Sequence, residues 1–436
     1  MMQFLSFRSF ISILLLLITN VYCTDSDIPQ TILRDGQPFP LVGLGVGNLQ
    51  HDRIVAQVME SIKYGTRLID TAHASSNEHL IRQGILEGLS MLDLGLDREI
   101  HVVTKVWYTY LGYERTKIAV REILEKLGHP NIRVHILVHW PRCRNDIPWM
   151  ECEEEENNLP QVVKDAGPAP HLDKGNAFKE SWRALEDIFL GDVSLGDNLS
   201  KPESIGVSNF ALDDLKALEE TARVTPHILQ DNVWNYVFHP YLITYCREHD
   251  IHFQAYNVMN GIFSRSESSP TALNHLSTVS SELVGRAEAH ILNNEVNIHQ
   301  LILKWLIQSH VSVIPRTSST QHVQHNSASV LMLLPDLTDN EITSVDQCVK
   351  VMLKQEDLDQ PLATFHNKHH DTLHIFWSNE DGEEFLVKEE LKPGEKFHTK
   401  TYPGHTFIAY DKSREGKKTF TVGVAYGEEE EFHIEL

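Results

Sequence analysis

Eight short apolar, β-rich runs recur along the first three quarters of this 436-residue chain, and helical patterns separate most of them. They read LVGLGVG at 41–47, RLID ending at Asp70, HVVTKV ending at Val106, VHILVHW at 134–140, SIGVSNF at 204–210, HILQDN at 227–232, HFQAYN at 252–257 and VSVIPRT at 311–317. Apolar residues recur at helical spacing in the intervals, as at 54–63, 114–127 and 178–190. Such an alternation, repeated eight times over about 300 residues, is best satisfied by a closed (β/α)8 TIM barrel. A doubly wound open sheet is the structural alternative, but no GxGxxG opens any of these helices.

Reacting groups in such barrels project from the C-terminal ends of the strands. Asp70, Lys105 and His139 each stand at or near the end of a separate run, so three chain segments can converge on one mouth. Any one of them alone reads as a buried ion pair or a core histidine, whereas the three together point to a site. Ahead of the barrel, TILRDGQPFP at 31–40 sets Asp35-Gly36 between two short runs, a hairpin turn signal. After the fourth run comes a long polar insertion, residues 142–175. Its acidic stretch ECEEEENN from Glu151 reads as a solvated loop tip and not a metal site.

Residues 1–23 carry one charge, Arg8, and an apolar core over 10–18, with Val21 and Cys23 at the −3 and −1 positions of a cut before Thr24. That is the pattern of a secretory signal peptide, its apolar core being too short to span a bilayer; an uncleaved anchor is the alternative. The expected location is the secretory pathway or the extracellular space. No membrane span is expected after signal removal, since no later stretch approaches ~18 consecutive apolar residues. Secretion would make the sequon Asn198-Leu199-Ser200 usable. Four cysteines then remain, of which Cys143 and Cys152 share one loop; the sequence does not establish whether they pair. Lys and Arg number 38 against 61 Asp and Glu, a net charge of −23, which excludes nucleic acid as a main partner.

Seven phrases, LVGLG at 41–45, IDTA at 69–72, Asn77-Glu78, VVTKVW at 102–107, HWP at 139–141, IGVSNF at 205–210 and VIPRT at 313–317, resemble the aldo-keto reductases in order and approximate spacing. The resemblance spans residues 31 to 350 and implies a metal-free barrel that reduces small carbonyl substrates with NADPH, NADH being the alternative. In that family hydride passes from the nicotinamide to the carbonyl carbon and a Tyr protonates the alkoxide. An Asp-paired Lys lowers the phenol's pKa, and a His orients the substrate oxygen. Asp70, Lys105 and His139 match the Asp, Lys and His, but Ser75 stands at the Tyr position. An alkyl hydroxyl is a far weaker acid than a phenol, whose ordinary pKa is about 10. Tyr108 and Tyr110, just beyond Lys105, are candidate substitute phenols. The resemblance further assigns Ser208, Asn209 and Gln230 to the nicotinamide carboxamide, with Asn235 an alternative to Gln230, and assigns Tyr256 to the nicotinamide face. Arg316 and Thr317 take the phosphate. His322 and His325 replace an Arg and an acidic residue near it, and Gly47 replaces an aromatic near the first strand.

After residue 353 a polar connection leads into TLHIFWSN, EEFLVKEEL, KFHTKTY, TFIAYD, TFTVGVAY and EEFHIEL, read as short strands with Asp381-Gly382, Pro393-Gly394 and Pro403-Gly404 as turns. This pattern suggests a small all-β sandwich. WSNEDGEE at 377–384, LKPGE at 391–395 and TYPGHTFIAYD at 401–411 resemble the β domain of the von Hippel–Lindau protein. That resemblance implies a peptide-binding site for (hydroxy)proline at Trp377, Thr401 and His405. The family's pocket Tyr falls near Val387 or Lys388, and its second Trp is Phe407. The expected organisation is a signal peptide (1–23), a barrel (24–355), a linker (356–361) and a β-sandwich (362–436). Two functions fit it: an NAD(P)H-dependent carbonyl reductase with an appended peptide-binding-type domain, or a binding protein on a catalytically degenerate reductase barrel.

Overall fold

The computed structural model describes residues 28–436 apart from 92–97, 145–146, 148, 174, 264–269, 287–296, 354–361, 379–383, 402–404 and 424–428. The expected leader and linker, and the turns at 381–382 and 403–404, lie outside the described residues. Two compact units divide between Met352 and Leu353.

The first unit opens with the hairpin of β1 (Gln30–Ile32) and β2 (Pro38–Pro40), paired antiparallel. Its turn needs Gly36 at φ 86°, the left-handed region where a side chain is strained. Eight parallel strands follow: β3 (Leu44–Gly45), β4 (Leu68–Asp70), β5 (Ile100–Val106), β6 (Ile132–Val138), β7 (Ser204–Ser208), β8 (Ile228–Asn232), β9 (His252–Tyr256) and β10 (Ser312–Val313). Each pairs with its sequence neighbours. Bridges Val42–Val313 and Gly45–Arg316 join the last strand to the first, curling the sheet into a TIM-like barrel. β3 and β10 are shorter than their sequence runs. Pro315 has no N–H to donate, so the outer ladder stops there and resumes only at the Gly45–Arg316 bridge. Gly206 lets β7 lie close to its neighbours, since a Cβ there would stand 2.5 Å from the Ile228 carbonyl oxygen and 2.6 Å from Leu137 Cδ2.

Leu33 and Phe39 of the hairpin pack against Leu68, Val103, Leu137, Ile228 and Ile314. Each such buried side chain contributes roughly 1.5–3 kcal/mol. The N-terminal end of the barrel holds a polar layer below them. His101 Nδ1 lies 2.9 Å from His135 Nε2, His135 Nδ1 2.7 Å from Ser204 Oγ, and His252 Nε2 2.9 Å from Ser312 Oγ. The Phe39 ring meets the rings of His101, His135 and His252 edge-on. Burial holds these imidazoles neutral: His101 falls to about 4, His252 to about 3 and His135 well below the ordinary value.

The second unit has two β-sheets. Strands β11 (Leu362–Asn367), β14 (Lys396–Lys400) and β17 (Glu429–Ile434) form one in the order β14-β11-β17. Strands β12 (Leu373–Ser378), β13 (Glu384–Leu391), β15 (Thr406–Asp411) and β16 (Lys417–Thr421) form the other in the order β13-β12-β15-β16. Ala363, Phe365 and Ile434 from the first sheet share one core with Leu373, Ile375, Phe407, Ala409 and Phe420 from the second. Strand β11 corrects the reading of that stretch as part of a polar connection. Ala363, Phe365 and Thr364 are all fully buried, because β11 is the central strand of its sheet.

Candidate active site

Strand register brings the expected residues to one end of the barrel. Asp70 ends β4, Lys105 is the penultimate residue of β5, and His139 follows β6 directly. The Lys105 Nζ donates to Asp70 Oδ1 at 2.7 Å and to the Thr71 carbonyl at 2.5 Å. Asp70 Oδ1 also accepts from Gln230 Nε2 at 2.7 Å, and Gln230 Nε2 reaches Gln254 Oε1 at 2.6 Å. A buried ion pair holds its place only when further hydrogen bonds satisfy it, and these do so. Burial first, and the Lys105 ammonium second, push the His139 pKa well below its ordinary value, leaving a neutral imidazole. Its Nδ1 is buried without a hydrogen-bond partner among the described residues. An orphaned polar atom at a strand end is where an incoming polar group would be accommodated.

Ser75 closes a single 3-10 turn, His73–Ser75, behind β4. Thr71 Oγ1 donates to Asn77 Oδ1 at 2.6 Å, and Asn77 Nδ2 donates to the Val46 carbonyl at 3.2 Å, tying this loop to the one after β3. Ser75 therefore faces Gly47: a Cβ at Gly47 would stand 3.5 Å from Ser75 Oγ. Two small residues meet where the resemblance implies two aromatic ones. Neither substitute phenol is free. Tyr108 donates its hydroxyl hydrogen to Glu155, and burial with that carboxylate pushes its pKa far up. Tyr110 is buried with its ring edge-on to His73, and burial pushes its pKa to about 12.

The acidic stretch is not a simple solvated tip. It forms the Cys152–Asn157 helix, and Cys152 is disulfide-bonded to Cys143. Glu153 and Glu154 are exposed, but Glu155 accepts from Trp107 Nε1 at 2.6 Å as well as from Tyr108. Glu156 takes a bidentate pair of 2.8 Å bonds from Arg115, whose guanidinium also donates to the Thr109 and Gly167 carbonyls. Trp107 in turn lies edge-on to His139, with ring centroids 4.8 Å apart, and stacks near Trp149. Part of the insertion is thus a wall of the site. Four consecutive glutamates look solvated by composition, and their partners lie about 40 residues upstream, beyond any local signal.

The expected cofactor residues form a second cluster at the same barrel end. Ser208 ends β7 opposite Gln230 of β8. Asn209, at φ 59°, donates through Nδ2 to the His139 carbonyl at 3.0 Å and to Ser208 Oγ at 3.1 Å. Tyr256 ends β9 and donates its hydroxyl hydrogen to Asn209 Oδ1 at 2.6 Å. Asn235 instead bonds Asp231 Oδ2 at 2.9 Å, which leaves Gln230 as the residue beside Ser208. Past β10, Arg316 is exposed and makes no ion pair among the described residues. Thr317 Oγ1 accepts from the Ser319 N–H at 3.0 Å and lies 3.5 Å from His322 Nδ1. His325 packs through its backbone, its carbonyl accepting from Gln300. Amide and hydroxyl groups around a Tyr ring, with a free guanidinium beyond, suit a planar carboxamide-bearing ring joined to phosphates.

This geometry defines a (β/α)8-barrel protein whose ionisable groups gather at the strand C-termini. The chain belongs to the aldo/keto reductase family, whose profile matches residues 43–350. It is 28% identical over 320 residues to the uncharacterized oxidoreductase YtbE of Bacillus subtilis, covering 73% of this chain and 91% of that protein. It is 25% identical to the NAD(P)H-dependent D-xylose reductase of Kluyveromyces lactis, covering 76% of this chain and 97% of the reductase. The fold matches the Bombyx mori aldo-keto reductase solved in complex with NADP at a TM-score of 0.54, with 23% identity, covering 74% of this chain and 92% of that one.

In the second unit, Trp377, Thr401 and His405 come together. The Trp377 and His405 rings lie 5.3 Å apart, and Thr401 Oγ1 lies 3.1 Å from His405 Nδ1. Phe385 flanks Trp377 at 5.4 Å, while the Trp377 indole N–H is buried without a partner among the described residues. Val387, which with Lys388 is where the resemblance puts a pocket Tyr, is exposed, and Phe407 is absorbed into the core.

Proposed function

We propose that this chain reduces small aldehyde or ketone carbonyls with NADPH, and that it is a secretory-pathway or extracellular protein carrying an appended peptide-binding domain. The observation that carries the reading is the buried Lys105–Asp70 pair at 2.7 Å beside a neutral His139 with an orphaned Nδ1. Ser208, Asn209 and Gln230 would hold the carboxamide, Tyr256 the ring face, and Arg316 and Thr317 the phosphates. The bound dinucleotide supplies hydride to the carbonyl carbon. His139 orients the carbonyl oxygen, and Asp70 keeps the Lys105 ammonium aimed at the mouth. The Trp107 wall excludes water from one side, which strengthens every charge interaction inside.

Quenching of Trp fluorescence on titration with NADPH and NADH tests this reading. Saturable binding with NADPH preferred is the expected result; no binding of either would overturn it. Ser75 favours a second reading, a barrel that binds nucleotide without turnover, and turnover only in Ser75→Tyr would establish it. For the second unit we propose a two-sheet sandwich of the von Hippel–Lindau type that takes (hydroxy)proline peptides at Trp377, Thr401 and His405. The orphaned indole N–H supports this, being a donor that a ligand oxygen would satisfy. Hydroxyproline peptides should bind more tightly than proline peptides, and equal or absent binding in a fluorescence-anisotropy titration would remove the proposal.

A further inference from the structure

A reductase barrel needs a proton for the alkoxide it makes, and the expected phenol is missing. Each alternative donor near the mouth is engaged or weak. The Tyr108 hydroxyl donates to Glu155, and Tyr256 donates to Asn209. Tyr110 is buried against His73. Ser75 carries only an alkyl hydroxyl, and His139 is neutral. Lys105 is different. Its ammonium has three N–H donors and spends two, on Asp70 and on the Thr71 carbonyl, leaving the third unspent among the described residues. An alkylammonium and a phenol are also matched acids, with ordinary pKa values of about 10.4 and about 10. A Cβ at Gly47 would stand 3.5 Å from Ser75 Oγ, so two small residues meet beside the strand ends where the resemblance implies two aromatic ones.

We propose that Lys105 is the direct proton donor, its third N–H protonating the substrate oxygen at the strand ends beside the small residues Ser75 and Gly47. The inference rests on the reductase reading. Hydride from a dihydronicotinamide forms the new C–H bond, and the nicotinamide is oxidised. The carbonyl π pair moves to oxygen, which takes a proton from Lys105 Nζ, leaving a neutral amine. That amine regains its proton from solvent after the alcohol leaves. Asp70 and Thr71 hold the nitrogen in place throughout.

The test uses the full chain with NADPH and 4-nitrobenzaldehyde as the probe carbonyl. Lys105→Ala should lose about 10²–10⁴-fold in kcat, the usual span of acid catalysis, and added methylammonium or ethylammonium should restore part of it. Lys105→Arg keeps a cation opposite Asp70 and so guards against misfolding; its guanidinium, with a pKa above about 12, should leave turnover equally low. A readout without cofactor is binding of 4-nitrobenzoate, whose carboxylate resembles the developing alkoxide. By equilibrium dialysis it should weaken about tenfold in Lys105→Ala and persist in Lys105→Arg. Wild-type turnover retained in Lys105→Arg, or Lys105→Ala that binds NADPH but gains nothing from amines, would overturn the assignment. A wild type that binds NADPH without turnover would overturn it too, while leaving nucleotide binding intact. Failure of the wild type to bind NADPH at all would instead bring down the reductase reading.

Discussion

Acid should weaken this barrel well before its carboxylates titrate. A histidine whose folded pKa lies below its ordinary value of 6.5 favours the unfolded chain as pH falls through the interval between the two values. Each such group costs about 1.4 kcal/mol per pH unit across that interval. His101 at about 4, His252 at about 3, and His135 and His139, both held well below the ordinary value by burial, work in this direction, and His227, held down by burial, adds to them. Asp231 works the other way. Burial raises its carboxyl to about 7, so the folded state takes up a proton there that the unfolded state refuses until about 4. The two histidines at about 4 and about 3 against one carboxyl leave one excess proton on the unfolded chain, and His135 and His139 add to it, so the slope is at least about 1.4 kcal/mol per pH unit. Between pH 6.5 and 4.5 the loss reaches at least about 3 kcal/mol, a large share of the roughly 5–15 kcal/mol that holds a typical domain folded. Below that window Glu99, Glu122 and Glu341, whose pKa values partner bonds hold down, take over the loss. Urea unfolding at pH 7.5, 6.5, 5.5 and 4.5 measures the slope. His252→Gln, which keeps a donor toward Ser312, should lower it by about 1.4 kcal/mol per unit. Stability that stays flat or rises between pH 6.5 and 5 would refute the reasoning.

Other perturbations have equally definite outcomes. Arg115→Leu leaves Glu156 without its bidentate partner and should cost about 3–5 kcal/mol in urea unfolding, the usual penalty for orphaning a buried charge. Gly206→Ala drives a methyl into the Ile228 carbonyl and should lower stability by at least about 1–3 kcal/mol; an unchanged unfolding midpoint would contradict the close strand approach. Chain secreted from eukaryotic cells should lose mass on treatment with peptide-N-glycosidase, and Ser200→Ala should abolish that loss, because Asn198 is exposed.

The barrel was legible because its chemistry sits at strand ends, and strand ends are local. Asp70, Lys105, His139, Ser208 and Tyr256 each follow a short apolar run that a window of a few residues detects. What escaped depends on distant partners. Glu155 and Glu156 look like a charge run until Trp107, Tyr108 and Arg115 are brought against them. Strand β11 was hidden in a polar stretch because its burial comes from strands on both sides, β14 and β17, the latter more than 60 residues later in the chain. Gln230 is assigned to the cofactor by the resemblance, and no local pattern foretells that its amide ties Asp70 to Gln254 across the barrel interior.

The disulfide-bonded helix that seats Glu155 on Trp107 bears on how the protein is to be made. Reducing cytosol opens such bridges, whereas an oxidising secretory lumen closes them. Material produced in the two settings would carry the same sequence and the same barrel, but only the oxidised form would have its helix strapped beside His139. Bench kinetics from a cytosolic expression host would then describe a looser entrance than the oxidised form has. The choice of host, ordinarily a matter of yield, becomes here a choice of which entrance is being measured.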